Sequence, residues 1–74
     1  MADPTVGITT PTIRLDQLLK LSALSETGGT AKRMILSGQV TVNGKTELRR
    51  GAAIKVGDIV SDGQRAVTVA ARED

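Results

Sequence analysis

The dipeptide Asn43-Gly44 constrains the fold of this chain more than any other feature, because it separates a run of alternating apolar and polar residues from a second short run that ends at Leu48. Val40-Thr41-Val42 precedes it and Lys45-Thr46-Glu47-Leu48 follows it. The type I′ turn of a tight hairpin needs positive φ at both central positions, and Asn and Gly tolerate that conformation. The sequence therefore predicts a β-hairpin over residues 40–48.

Two further strands are predicted after the hairpin. Ile59-Val60 and Ala66-Val67-Thr68-Val69 are short apolar runs. Val56-Gly57-Asp58 and Asp62-Gly63 precede them and are typical of turns. Strands joined by such short connections favour antiparallel pairing.

Before the hairpin, the apolar spacing is that of helices. Leu15, Leu18 and Leu19 share one face and predict a helix over about residues 14–24. Asp16 falls in its first turn, where a carboxylate complements the helix dipole.

A second helix is predicted from Gly28 to Ser37, with Thr27 as N-cap and Gly38 ending it. Its apolar positions are Ala31, Met34 and Ile35. Both helices are too short to be stable alone and must pack on the strands.

These elements predict an α+β fold, with two short N-terminal helices packed on a small antiparallel β-sheet. Residues 13–71 are expected to form a single domain. Residues 1–12 are expected to be a flexible tail or, because Val6 and Ile8 alternate with polar residues, an edge strand. Residues 72–74 are expected to be a C-terminal tail.

The composition excludes several classes of function, because the chain has no Cys, His, Phe, Trp or Tyr. A disulfide framework, a zinc finger, a Ser-His-Asp triad and a Cys nucleophile are all ruled out. Recognition of nucleic acid by aromatic stacking is ruled out as well. No closely spaced carboxylate pair suggests acid–base catalysis. We therefore expect no enzymatic activity, no cofactor, no metal and no small-molecule substrate.

Hydropathy gives an expectation for location. No run of ten apolar residues occurs, so we expect no membrane span. Residues 1–12 lack the basic and apolar regions of a signal peptide. We expect a cytoplasmic, monomeric protein.

The formal net charge of +2 hides an asymmetry along the chain. Between Arg14 and Lys55 there are eight bases and three acids, a net of +5, whereas the remainder has two bases and five acids, a net of −3. Such a basic segment suits a polyanionic partner. An ordinary solvated surface explains the charges equally well at this point.

Four segments in order resemble the S-four RNA-binding domain family, also called the alpha-L motif. They are Arg14-Leu15-Asp16, Ala31-Lys32-Arg33-Met34-Ile35, Gly38-Gln39-Val40-Thr41-Val42-Asn43-Gly44 and Val56-Gly57-Asp58-Ile59. The resemblance runs from about Ile13 to Val60. Within the family, Ser25-Glu26-Thr27-Gly28-Gly29 and Glu47-Leu48-Arg49-Arg50-Gly51 resemble the short stand-alone bacterial proteins of the YbcJ type.

The resemblance implies that the two helices and the loop after them bind structured RNA, commonly ribosomal RNA, without catalysis. Lys32 and Arg33 are adjacent on the second helix, off its apolar face. By themselves they fit a solvated helix surface, but the family has bases at these positions.

Arg49 and Arg50 are a more specific signal. Consecutive side chains of a regular strand point to opposite faces, which would bury one guanidinium. We expect the strand to end or bulge by Leu48, or one side chain to leave along the sheet edge. Either arrangement exposes both arginines for phosphate contact.

Glycine and asparagine positions have two interpretations each. Gly28 and Gly29 follow the Thr27 cap and either admit a phosphate to bare backbone N–H groups or only shape the turn. Asn43 and Gly44 are explained by the turn alone, with the added use of presenting Lys45. The candidate RNA-binding residues are Arg14, Lys20, Thr27, Gly28, Gly29, Lys32, Arg33, Asn43, Lys45, Arg49 and Arg50.

The sequence thus predicts a non-catalytic protein that recognises structured RNA, with ribosomal RNA or the ribosome as the favoured partner, through bases that contact phosphates. The alternative is a protein-interaction adaptor module, whose basic face binds an acidic protein partner.

Overall fold

The structure is a computed structural model that describes residues 4–25 and 27–72. This part of the chain contains two short helices and seven short strands. In chain order they are β1 (Thr5–Ile8), β2 (Thr12–Arg14), α1 (Leu15–Leu21), α2 (Gly28–Leu36), β3 (Thr41–Val42), β4 (Lys45–Thr46), β5 (Ala53–Lys55), β6 (Ile59–Ser61) and β7 (Ala66–Ala71). Residues 1–3 and 73–74 of the predicted tails, and Glu26 of the turn between the helices, lie outside the described residues. No helix in the described part is long and apolar enough to cross a membrane.

Five strands form one sheet in the order β1-β7-β6-β3-β4. The β3–β4, β3–β6 and β6–β7 pairs are antiparallel, as predicted. The edge strand β1 pairs with β7 in parallel, with Thr5 opposite Thr68 and Ile8 opposite Ala71.

The prediction of a mixed α and β fold is confirmed, but two of its details are wrong. The helices are not N-terminal, because β1 and β2 precede them. The sheet is not wholly antiparallel, because β1 pairs in parallel with β7, which lies about 60 residues later in the chain. Pairing across that distance leaves no local signal in the sequence.

A second, two-stranded sheet joins β2 to β5, with Ile13 opposite Ile54. Neither strand was expected from the sequence. Each has three residues with an isoleucine in the centre, which is too short a pattern to show alternation. Ile54 is buried and Ile13 packs against the core beside it, so the pair covers the start of α1.

Helix α1 ends three residues earlier than predicted. Ser22 N donates to Leu18 O and Ala23 N to Lys20 O, and Ala23 then takes a positive φ of 62°. That left-handed residue turns the chain back, so Leu24 is buried as part of the loop instead of the helix. The apolar face itself is as predicted, since Leu15, Leu18 and Leu19 are fully buried.

Helix α2 has both of its predicted caps. The Thr27 hydroxyl accepts from Thr30 N at 3.1 Å. At the other end Gly38 has a φ of 83°, its N–H donates to Ile35 O, and Gln39 N donates to Met34 O. This is the Schellman arrangement, in which a glycine in the left-handed region ends the helix.

The core is entirely aliphatic apart from one methionine, and it lies between the two helices and the inner face of the larger sheet. The helices contribute the three buried leucines of α1 together with Ala31 and Ile35, and the sheet contributes Val60 and Val69. Every described side-chain polar atom that is buried has a hydrogen-bond partner.

The hairpin turn is locked to the turn between β5 and β6 by Asn43 and Asp58. Asn43 Nδ2 donates to Asp58 Oδ1 at 3.0 Å, and Ile59 N donates to Asn43 Oδ1 at 2.9 Å. Asp58 also accepts from Lys55 N at 3.0 Å and from Lys55 Nζ at 3.2 Å. Asp58 is buried, so its carboxylate is a fixed bridge between two turns that are distant in sequence.

Removing that bridge should cost much of the stability of so small a domain. We expect Asp58→Ala to lower the free energy of unfolding by about 2 kcal/mol, because it leaves the Asn43 amide and the Lys55 N–H without their hydrogen-bond acceptor. Urea unfolding followed by far-ultraviolet circular dichroism measures the change. Glu47→Ala is the control, because the Glu47 side chain pairs with an exposed arginine at the surface, and it should shift the value by less than about 0.5 kcal/mol. Equal effects of the two substitutions would contradict the bridge.

The same carboxylate should make the fold sensitive to acid. Burial by itself raises the pKa of Asp58, but the hydrogen bonds from Lys55 and Asn43 outweigh it and hold the pKa below its ordinary value. A lowered pKa adds stability that is present above the unfolded value, about 3.9, and is lost as the pH falls through the folded pKa. The free energy of unfolding should therefore fall in acid, and less steeply in Asp58→Asn. Parallel pH profiles for the two proteins would refute this assignment.

Candidate nucleic-acid interface

The basic loop, residues 47–51, is bound to the start of helix α1 by the backbone. Leu15 N donates to Ala52 O and Asp16 N donates to Arg50 O, both at 3.0 Å. Arg14, the residue before the helix, provides no side-chain cap, so these carbonyls satisfy the first N–H groups of α1. The contact brings Arg49 and Arg50 to the same end of the helix as Arg14.

The Arg14 side chain lies across the contact between the basic loop and the start of α1. Its Nη2 atom donates to Asp16 Oδ2 at 3.2 Å, and a β-carbon placed on Gly51 would lie 3.9 Å from the same nitrogen. Asp16 is fixed in turn, because its Oδ1 accepts from Gln17 N at 2.8 Å. Asp16 therefore orients the Arg14 side chain, in addition to its place in the first turn of α1.

Arg49 is held by its own neighbour in the basic loop. Its Nε and Nη2 atoms donate to the two carboxylate oxygens of Glu47 at 3.2 and 3.1 Å. The side-chain hydrogen bond to Arg49 is the main cause that lowers the pKa of Glu47 and raises that of Arg49. The Arg49 side chain is nevertheless 80% exposed.

The predicted end of the strand before the two arginines is confirmed. Strand β4 stops at Thr46, and Leu48, Arg49 and Arg50 are all exposed in the loop that follows. The alternation problem that consecutive arginines pose for a strand therefore does not arise.

Five of the candidate bases have no carboxylate within ion-pair distance among residues 4–25 and 27–72. All five are exposed, and they are Lys20, Lys32, Arg33, Lys45 and Arg50. Uncompensated ammonium and guanidinium groups of this kind are available to an anionic ligand.

Lys32 and Arg33 lie on the face of α2 opposite its buried residues Ala31 and Ile35. Leu36 lies between them on the helical wheel, about 40° from Lys32 and about 60° from Arg33, and it is 60% exposed. The periodicity predicted the basic face, but the exposed leucine within that face was not part of the prediction.

The hairpin packs beside the end of α2, since a β-carbon placed on Gly38 would lie 4.0 Å from Thr46 Cγ2. Lys45 is exposed on β4 directly after the turn. Asn43 has a φ of 53° and Gly44 one of 84°, the pair of positive values that a type I′ turn requires. Both ends of the Asn43 amide are engaged by Asp58 and Ile59, which supports a structural role for this residue.

Helix α1 carries Lys20 one turn after Asp16, on the same side of the helix. The connection to α2 ends at its N-cap residue Thr27, and Gly28 and Gly29 form the first turn. Among residues 4–25 and 27–72, a β-carbon on Gly29 would approach only Thr27 Oγ1, at an ordinary contact distance of 3.9 Å, and Gly29 has no positive φ. The fold therefore does not require a glycine at position 29.

This freedom gives a test of the two interpretations of the glycine pair. Gly29→Ala should raise the free energy of unfolding by about 0.5–1 kcal/mol, because alanine is the better helix former and loses less chain entropy. Thermal or urea unfolding measures the gain. A loss of stability would show that the turn itself needs the glycine. Weaker binding of an RNA hairpin by the stabilised variant would favour phosphate approach at this turn.

Comparisons with known proteins identify the family of the chain. A family model described as an S4 domain matches residues 6–70. The probable ribosome maturation protein RlbA of Bacillus subtilis is 42% identical over 60 residues, which cover 81% of this chain and 83% of the relative. YbcJ of Escherichia coli, whose name describes a putative RNA-binding protein, is 43% identical over 61 residues, which cover 82% and 87%.

A solved structure extends the match to the fold. The solution structure of Escherichia coli YbcJ, described as revealing an alpha-L motif involved in RNA binding, superposes with a TM-score of 0.68 at 41% identity and covers 96% of this chain and 89% of that one. The resemblance that the four sequence segments indicated is therefore confirmed, and the chain belongs to the S4 domain family.

Proposed function

We propose that this protein is a non-catalytic RNA-binding protein that contacts the phosphates of structured RNA, with ribosomal RNA as its favoured target. The observation that carries the proposal is the attachment of the basic loop to the start of α1, which collects Arg14, Arg49 and Arg50 at one place. Guanidinium groups can contact two phosphate oxygens at once, so three of them together favour a polyphosphate ligand.

The other candidate contacts extend this site along the two helices and the hairpin. Lys32 and Arg33 are on the exposed face of α2, Lys20 is on α1, and Lys45 follows the hairpin turn. Thr27, Gly28, Gly29 and Asn43 complete the proposed set, with backbone or turn contacts in place of charge. The names of the relatives, which describe RNA binding and ribosome maturation, support RNA and the ribosome as the partner.

The composition supports base-paired or folded RNA over a free single strand. Proteins that bind single strands without sequence preference stack the bases on aromatic side chains, and this chain has none. Recognition through phosphates, riboses and shape suits a double-stranded RNA surface.

Replacement of the paired arginines of the basic loop should reduce both the affinity for RNA and its salt dependence. We expect Arg49→Ala/Arg50→Ala to bind a fluorescein-labelled RNA hairpin less tightly, and the slope of log affinity against log salt to fall by roughly 0.7–0.9 for each phosphate that the variant no longer neutralises. Fluorescence anisotropy over a series of salt concentrations gives both quantities. The unfolding free energy should stay within about 0.5 kcal/mol, because neither side chain is buried.

The matched control is Arg65→Ala, compared with the single variant Arg50→Ala. Arg65 is an exposed base of equal charge whose contacts, with Asp62 and the Ala23 carbonyl, lie outside the proposed site. Its replacement should change hairpin affinity much less. Equal losses from the two single variants would mean that only net charge matters and that the assigned residues are wrong.

The kind of partner can be tested directly. The tagged protein, recovered from cells with and without ribonuclease treatment, should lose its co-purifying partners after digestion. Protein partners that survive the treatment would favour the adaptor alternative. Cross-linking in cells followed by sequencing of the bound RNA should identify the target, with ribosomal RNA enriched.

A further inference from the structure

We propose that Glu47 is a positioning residue for RNA binding, whose carboxylate holds the Arg49 guanidinium so that its free edge faces the phosphate. This inference rests on the proposed function, because it assigns a role within that binding site. An acidic residue beside an RNA-binding arginine otherwise only repels the ligand.

The contact between the two side chains has the geometry of a clamp. Glu47 Oε2 accepts from Arg49 Nε at 3.2 Å and Oε1 accepts from Arg49 Nη2 at 3.1 Å. Oε2 also accepts from the Arg49 backbone N–H at 3.2 Å. Three hydrogen bonds from a single residue therefore fix both the backbone and the side chain of Arg49 to one carboxylate.

The backbone on both sides of the clamp is fixed as well. Glu47 N donates to Val40 O at 3.0 Å, next to the buried Val40 side chain. Ala52 N donates to Arg49 O at 3.1 Å, at the point where the basic loop meets α1. The backbone of Glu47 is thus attached to Val40, just before β3, and the backbone of Arg49 is attached to Ala52, whose carbonyl accepts from Leu15 N at the start of α1.

The clamp leaves the arginine able to bind. A guanidinium has five N–H groups, of which the clamp uses one on Nε and one on Nη2. Two of the three that remain, one on Nη1 and one on Nη2, form the edge that can donate to two phosphate oxygens in parallel. The exposed fractions agree with this division, since the Arg49 side chain is 80% exposed and that of Glu47 only 21%.

A variant that keeps the charge separates positioning from repulsion. Glu47→Asp retains the negative charge but is one methylene shorter and cannot reach both nitrogens of the fork. We expect it to weaken binding of the RNA hairpin about two- to fivefold, the range expected when an exposed ion pair is broken. Repulsion alone predicts no change, because the charge is the same.

A double-mutant cycle with Arg49→Ala tests whether the effect passes through the arginine. In the R49A background, E47D should leave hairpin affinity unchanged, and E47Q should only remove a repulsive charge and strengthen binding. In the wild-type background, E47Q also releases the clamp on Arg49. Its effect on hairpin affinity should therefore be less favourable than in the R49A background by at least about twofold. Equal effects in the two backgrounds would overturn the proposal, and so would a larger gain in the wild-type background, because Glu47 would then compete with the phosphate.

A measurement without RNA checks the clamp itself. The Nε–H resonance of Arg49 in the wild-type protein should exchange slowly with water and lose this protection in E47D. Urea unfolding of each variant should match the wild type, so that a change in affinity is not a change in folding. A wild-type protein that fails to bind the hairpin would overturn the proposed function. Wild-type binding with an unprotected Nε–H and an E47D that binds as well as wild type would overturn only the role of Glu47.

Discussion

Two tertiary hydrogen bonds, from the N–H groups of Leu15 and Asp16 to the carbonyls of Ala52 and Arg50, underlie both the fold and the candidate site. Helix α1 has no side-chain cap, and Leu15 is fully buried, so its first turn would otherwise leave unpaired N–H groups beside the core. The loop thus acts as the cap of the helix. That loop carries Arg49 and Arg50. The hydrogen bonds that satisfy the first N–H groups of α1 therefore also place these two arginines near Arg14.

The sequence predicted those parts of the fold whose signal is local. The leucine spacing of α1, the Thr27 and Gly38 caps of α2 and the Asn43-Gly44 turn are each determined within a few residues, and all are present. The parallel pairing of β1 with β7 and the small β2–β5 sheet depend on partners far along the chain. A strand of three or four residues has too short a hydrophobic pattern to indicate such a partner. The early end of α1 has a similar cause, because Ala23 adopts a conformation more typical of glycine.

The candidate site was predictable as a set of charges but not as an arrangement. Counting bases identified Arg49 and Arg50, and the impossibility of burying one of them indicated correctly that the strand had ended. Asp16 and Glu47 lower the net charge of the basic segment, yet each is bound to an arginine of that segment. Charge counting treats such acids as losses, whereas their contacts make them part of the local geometry. Leu36 was overlooked for a related reason, because hydrophobicity alone does not distinguish a core residue from an apolar residue exposed among bases.

The parallel β1–β7 pair has a consequence for how the molecule is made. Residues 5–8 pair with residues 68–71, so β1 leaves the ribosome well before its sheet partner β7. Closing so long a loop is entropically slow and cannot begin until β7 has been synthesised. During translation, Val6 and Ile8 therefore lack the neighbours that later bury them. Assembly of the whole sheet consequently waits for β7, and a chain without β7 would leave the edge of β6 and the apolar side of β1 open to other chains.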